Sequence, residues 1–459
     1  MAAAVPDTGL PRAVIGGGAA GLAAAEALAG EGQPVILFER RSRLGGRAGS
    51  FSDPVRGGLT DNQHIWMGCC TALRGLLERS GALGMVHEQE RVRVPFATRV
   101  PPETGTRVRP AVLEAGFLPP PFHLLPTLLR FPLLTVGERF SLVRALMRLR
   151  HEGAFWQRTG AERSFGEWLD LTGQSAAIRE TFWTPVVTSA LNARPEDVRA
   201  DLAAMVFTRA FLGGRRAAAL GFSAVPLADL WERVAGRITS LGGRVSRREP
   251  VRAIEIGSDG RVTAVVTGTE RIAVSGAVLA VPPGPLQALL PPEWREREPF
   301  ARGRNLAWAP ILNCHLWYAE PVTDEPFLAV TGSHVHWIFV RPPTGGWSGR
   351  DQHLNLVTSA SQAWLDRSPE ETCTALRNEL ADFLPATRTT PLLAWKVVHM
   401  RRATFAPRPG SERHRPRAET PISNLVLAGA WTATGWPSTL EGAVRSGELA
   451  ARLLAVSPD

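Results

Sequence analysis

Lysine is almost missing from this chain of 459 residues: Lys396 is the only one, so nearly all of the positive side of its +9 formal charge is arginine. The arginines are scattered and no basic-aromatic module accompanies them, so no nucleic-acid partner is expected. Attraction to anionic lipid or to phosphate-bearing ligands remains. Cysteine is sparse too. Cys69, Cys70, Cys314 and Cys373 show neither CxxC spacing nor a regular framework, which argues against a disulfide-stapled scaffold and for a reducing, cytoplasmic setting. The adjacent Cys69-Cys70 pair could close a vicinal disulfide, but packing as small apolar groups is the preferred reading. Long apolar runs are lacking as well: Ala13 to Leu28 contains glycines and falls below the ~20 residues that a membrane span needs. Met1 to Pro11 has no charged region followed by an apolar one, so no secretory signal is expected. Tyrosine occurs once, at Tyr318. What is present, 44% hydrophobic and 21% charged residues, suits a soluble globular protein, and the length predicts two interleaved domains.

The chain opens on a β-branched run, Arg12 to Ile15, that enters Gly16-Gly17-Gly18-Ala19-Ala20-Gly21 and then an alanine-rich helix. This is GxGxxG in its required strand–turn–helix context. Gly16 allows the turn, Gly18 lets backbone approach a pyrophosphate, and Gly21 lets helix and strand pack closely, while the helix N-terminus offers free N–H groups to phosphate. A second strand, Pro34 to Phe38, ends at Glu39, with Arg40 beside it; an acid there can accept hydrogen bonds from the hydroxyls of an adenosine ribose.

Arg43-Leu44-Gly45-Gly46-Arg47 follows at once. Here the chain resembles the flavoprotein superfamily of amine oxidases, protoporphyrinogen oxidases and carotenoid desaturases. The resemblance implies FAD, with this RxGGR segment along its pyrophosphate and ribityl chain and Arg47 neutralising phosphate charge. Leu425 to Gly429 reads as a buried strand, and Leu440 starts a last helix after a polar loop. In the superfamily that helix points its N-terminus at the flavin pyrimidine ring, which implicates Gly429, Ala430, Thr439 and Leu440. Relatives usually carry aspartate where Ala430 stands. Leu227 to Leu241 reads as an amphipathic helix, and Val251 to Ile254 and Ala277 to Val281 as strands, Val251 lying by resemblance near the adenine. The expected fold is α/β, amine-oxidase-like and two-domain: a discontinuous Rossmann-like FAD domain (1–85, 215–290, 420–459) and an α+β substrate domain (86–214, 291–419).

Within the superfamily, Thr60-Asp61-Asn62-Gln63-His64 with Gly68-Cys69-Cys70-Thr71 is similar to the hydroxysqualene dehydroxylases, as are Phe182-Trp183-Thr184-Pro185, Ser189-Ala190-Leu191-Asn192, Arg401 to Pro407 and Gly435 to Ala443. That family usually has one more residue between Asn62 and Gln63. The resemblance implies reductive dehydroxylation of an apolar isoprenoid on the way to hopanoids or sterols, with contacts to the membrane surface and to other squalene-pathway enzymes. His64 is the expected acid, or else a structural histidine tied to backbone; Asn62 and Gln63 would orient it or the substrate hydroxyl. Phe117 to Phe140, rich in Leu, Phe and Pro and flanked by Arg130 and Arg139, reads either as a bilayer-docking tunnel for lipid or as a buried core segment. His334-Val335-His336 would put two rings on one strand face, but without a third ligand no metal is expected. Lys396, in a strand-like stretch, is given a surface role rather than a place at the flavin. Ser438 and Thr439 stand where amine oxidases carry an aromatic ring, which argues against amines. A phytoene-type desaturase and a non-catalytic FAD-binding scaffold are the rivals.

Overall fold

The computed structural model describes residues 9–100, 107–159, 162–342 and 349–456. A five-stranded sheet is built from segments far apart in sequence, in the order Arg244–Arg247, Val35–Glu39, Arg12–Ile15, Gly276–Leu279 and Leu425–Leu427, every pair parallel. Helices cover the sheet, so Arg12–Ile15, Gly276–Leu279 and Leu425–Leu427 are buried along their whole length. Ala19–Gly30 is alanine-rich all round because neighbours press on it closely: a Cβ added at Gly447, on the last helix Leu440–Val456, would lie 2.1 Å from the Ala20 carbonyl oxygen. Leu227–Ser240 turns Leu227, Leu230, Trp231, Val234 and Ile238 into the same core, the spacing of one helix face.

A second, seven-stranded sheet runs Leu392–Phe405, Trp308–Tyr318, Gln352–Ser359, Trp337–Arg341, Phe327–Thr331, Arg93–Val100 and Arg107–Glu114. Its pairs are antiparallel except Phe327–Thr331 with Arg93–Val100. Helices between residues 125 and 206 pack beside it around an aromatic centre of Phe165, Trp168, Trp183 and Phe207, with Phe165 stacked on Trp168 at 5.3 Å. The molecule is thus a mixed α/β structure built around two sheets, the arrangement that the resemblance to amine oxidases implies.

Several local expectations need correction. The strand expected at Val251 begins at Ala253, and the one expected to reach Val281 stops at Leu279. His334 and His336 lie in the turn between Phe327–Thr331 and Trp337–Arg341, not on a strand. His334 Nδ1 meets a Glu379 carboxylate oxygen at 2.5 Å, and His336 Nδ1 accepts from the Ser359 N–H at 3.1 Å. Residues 117–140 split between the two readings of that segment: Leu124, Leu128, Phe131 and Leu134 join the core, while Phe117, Phe122, Leu129, Val136 and Phe140 are exposed.

Candidate functional site

One cavity of about 1370 Å³ runs from the parallel sheet to the seven-stranded sheet. Pockets for one small ligand hold roughly 300–1,000 Å³, so this one has room for a cofactor and a substrate together. Gly16, Gly18, Ala20, Glu39, Arg40, Gly45, Gly46 and Arg47 line one end, with Val251, Gly429, Ala430, Thr439 and Leu440. Gly21 does not line it. It sits one layer behind, where an added Cβ would stand 1.8 Å from the Gly16 carbonyl oxygen, so its role is helix–strand contact. Gly18 is the opposite case: beyond its chain neighbours and its own helix backbone, a Cβ there would meet no protein atom within 4 Å, and its residue N-caps Ala19–Gly30. Open space at a helix N-terminus, bordered by backbone N–H groups, is what a pyrophosphate requires.

The Glu39 carboxylate accepts from the N–H groups of Gly17 and Arg41, both at 2.8 Å, which fixes its aim and leaves each oxygen a lone pair for ribose hydroxyls. Arg47 donates from one guanidinium nitrogen to the Ala403 carbonyl (3.0 Å) and lies 5.6 Å from the ring centres of both Trp308 and Phe405, its remaining N–H groups free for phosphate. At the last helix, Thr439 Oγ1 accepts from the Gly442 N–H at 3.2 Å. Buried Glu441 lines the cavity too, but its carboxylate is engaged: it accepts from Ala72 and Leu73 N–H and from Arg445, and so pins the helix Thr71–Arg79 to the last helix. Sequence reasoning missed that clamp, because its partners lie 369 and 368 residues away.

Asn62, Gln63 and His64 line the same cavity. His64 donates from Nδ1–H to the Asn62 carbonyl at 2.9 Å. Burial lowers its pKa from the ordinary value, so near neutral pH the ring is uncharged and Nε2 offers a lone pair. The histidine is therefore both backbone-tied and cavity-lining, and at neutral pH it accepts a proton rather than donating one. Asn62 orients it through its carbonyl alone. The Asn62 carboxamide turns toward His315 and Met400, and the Gln63 side-chain oxygen Oε1 takes an N–H from Arg341, which is itself paired with Asp61 at 2.9 Å in the protein interior.

The other end of the cavity is walled by Ile65, Met67, Val92, Val94, Phe96, Leu113, Met205, Phe211 and Leu220. No residue of the 117–140 segment lines it, so the tunnel expected there is corrected: the apolar wall comes from strands and helices that bring distant side chains together. Thr188 also lines it, and its buried hydroxyl has no hydrogen-bond partner, an orphan that a ligand oxygen would satisfy. Lys396 is outside, its ammonium 4.0 Å above the Phe51 ring. Among the described residues no three side chains are grouped to hold a metal.

A profile of flavin containing amine oxidoreductases matches residues 19–455. The hydroxysqualene dehydroxylase of Rhodopseudomonas palustris is 30% identical over 455 residues, covering 96% of this chain and 97% of that protein. The 15-cis-phytoene desaturase of an Oncidium hybrid cultivar is 26% identical over 469 residues, or 98% of this chain and 78% of that protein. Among solved structures, an oxidoreductase from Methanosarcina mazei shares the fold with a TM-score of 0.73 at 14% identity, over 95% of this chain and 99% of that one. With the glycine cradle, Glu39 and the last helix converging on a single cavity, the chain belongs to the flavin-containing amine oxidoreductase family and is an FAD-dependent oxidoreductase.

Proposed function

We propose that this enzyme reductively removes a hydroxyl group from a long isoprenoid, converting hydroxysqualene to squalene for hopanoid or sterol precursor synthesis. The observation that carries the reading is one continuous cavity joining the FAD cradle to an apolar wall, in a chain whose 30% identical relative bears that activity in its name. Reduced FAD supplies the hydride. Hydride replaces hydroxide on carbon, and the departing oxygen takes up a proton to leave as water. The chain's part is to exclude water with the apolar wall and to offer Asn62, His64 and Thr188 to the oxygen. Because His64 is neutral at pH 7, it donates a proton only after gaining one, so turnover should rise as pH falls below 6.5.

A second reading, desaturation of a phytoene-like hydrocarbon, is favoured by that same neutral Nε2, which suits proton removal, and by the phytoene desaturase kinship. Anaerobic incubation of reduced enzyme with hydroxysqualene separates them. Squalene and oxidised flavin are expected; desaturated product from oxidised enzyme and phytoene would favour the rival. No flavin turnover with any isoprenoid would leave a cofactor-binding scaffold that hands substrate to a partner of the squalene pathway.

The substrate's source in this proposal is the cytoplasmic face of a membrane. Phe117, Phe122, Leu129, Val136 and Phe140 are exposed on one short segment that also carries Arg130 and Arg139. Apolar side chains with flanking arginines suit shallow insertion among anionic headgroups. No helix among the described residues is long and apolar enough to cross a membrane. Flotation with anionic vesicles should carry the enzyme up, and Phe117→Ser with Phe140→Ser should leave it behind.

A further inference from the structure

Behind the cavity wall lies a buried chain of polar side chains that the proposed reaction leaves unused. His315 and His353 sit on neighbouring strands, Trp308–Tyr318 and Gln352–Ser359, and neither exposes any surface. His315 Nε2 is 3.1 Å from the carboxamide oxygen of Asn62, and His315 Nδ1 is 3.0 Å from His353 Nε2. His353 Nδ1 stops 4.0 Å short of the Asp53 carboxylate and has no partner.

The protons can be placed by elimination. A carboxamide oxygen only accepts, so His315 must carry its proton on Nε2 and donate it to Asn62. Burial pushes the His315 pKa down to about 3, so the ring is neutral and its Nδ1 is bare. A bare Nδ1 only accepts, so His353 carries its proton on Nε2. His353 Nδ1 is then bare as well, which accounts for its lack of a partner and its distance from Asp53, whose own oxygens are taken by the N–H groups of Val55, Arg56 and Trp317. Packing holds both rings in place: Trp317 stacks on His353 at 4.1 Å, and Phe51 meets His315 edge-on at 5.3 Å. The consequence falls on Asn62. With its oxygen held from behind, its nitrogen gives one N–H to Met400 sulfur at 3.1 Å and keeps a second, and both Asn62 and Met400 line the cavity.

We propose that His315 and His353 are positioning residues that hold the Asn62 carboxamide with its N–H side toward the cavity, so that the site selects isoprenoids bearing an oxygen over plain hydrocarbons. The inference rests on reading the ligand as an isoprenoid, but not on dehydroxylation taking place.

The test is equilibrium binding to oxidised holoenzyme, with flavin absorbance as the signal and farnesol and farnesene as the paired probes. The quantity compared is the farnesene-to-farnesol ratio of dissociation constants. Losing one neutral hydrogen bond should lower that ratio by about two- to tenfold. The drop is expected in Asn62→Leu and in His315→Phe. It should be absent in His315→Gln, whose amide can donate to Asn62 and accept from His353, a rescue that a merely space-filling histidine would not show. A ratio unchanged in Asn62→Leu overturns the proposal, as does a His315→Gln variant that behaves like His315→Phe. If His315→Phe fails to fold, His315→Gln still tests the histidine: a ratio at the parent's value supports the positioning role, and one as low as that of Asn62→Leu overturns it. Flavin response to both probes with no change among variants sinks this inference alone; no response to either probe takes the isoprenoid reading down with it.

Discussion

Replacing Gly18 by valine puts an isopropyl group into the cofactor cradle, where its Cβ clears the rest of the protein. Beyond its chain neighbours and its own helix backbone no heavy atom lies within 4 Å of the new Cβ, and the residue's φ of −80° and ψ of 177° suit a β-branched side chain. The apoprotein should therefore melt as the parent does. FAD should not bind as before, because the pyrophosphate must come within hydrogen-bonding distance of this backbone. A hydrogen bond to a charged group contributes ~1.5–3 kcal/mol, so losing one weakens binding by about ten- to a hundredfold, and losing two by about a hundredfold or more. Gly21→Ala makes the matching control three residues on. Its methyl would stand 1.8 Å from the Gly16 carbonyl oxygen, so helix and strand must part and the apoprotein itself should lose stability. The assay is flavin absorbance per protein after gel filtration, with apoprotein melting followed by circular dichroism. Full FAD content in Gly18→Val would refute the cradle. A Gly18→Val apoprotein less stable than Gly21→Ala would refute the division of labour between the two glycines.

Acid should destabilise the fold through its buried histidines. Burial lowers the pKa of His315 to about 3 and of His336 to about 4, so below about pH 6.5 the unfolded chain takes up protons that the folded chain refuses, and stability falls as pH falls. At pH 5 the loss is about 2 kcal/mol for each ring, and urea unfolding at pH 7 and pH 5 should show His336→Gln losing that much less than the parent. Ala430→Asp should raise FAD retention by about ten- to a hundredfold by restoring an acceptor for a ribityl hydroxyl; equal or weaker binding in an FAD titration would mean the site has already compensated. Arg341→Met strands Asp61 in the interior and should cost about 3–5 kcal/mol in the same unfolding assay, whereas a change below about 1 kcal/mol would show that water reaches the carboxylate.

The cofactor end was legible because its determinants are local. Strand, glycine turn, alanine-rich helix and Glu39 lie within 28 residues, from Arg12 to Glu39, and the last helix announces itself after Leu425–Leu427 and a polar loop. The substrate end was not legible, since its wall is assembled by sheet pairing across large sequence gaps. Apolarity in residues 117–140 could not reveal which side of the wall those residues occupy; they line no part of the cavity. The two histidines at 334 and 336 were placed on a strand by spacing alone, and a turn claimed them because the chain must reverse between two antiparallel neighbours. His64 was found, but its charge state depends on burial, and Asn62 takes its orientation from a residue 253 positions away. A hydrogen bond of that range leaves no local pattern to read.

The parallel sheet also dictates an order of events during synthesis. Arg12–Ile15 leaves the ribosome before the other strands of its sheet, yet one of its two neighbours, Gly276–Leu279, follows more than 250 residues later, and the outer strand Leu425–Leu427 later still. Until then the helix Ala19–Gly30 has no last helix to lie against, although its alanines are built for that contact. The segment around Arg12–Gly30 is consequently an incomplete unit whose closure waits on the helix Leu440–Val456, and contacts of such range form slowly. A ribosome that stalls before Leu440 would release a polypeptide in which the GxGxxG turn is present but nothing closes over it, a natural client for chaperones and proteases.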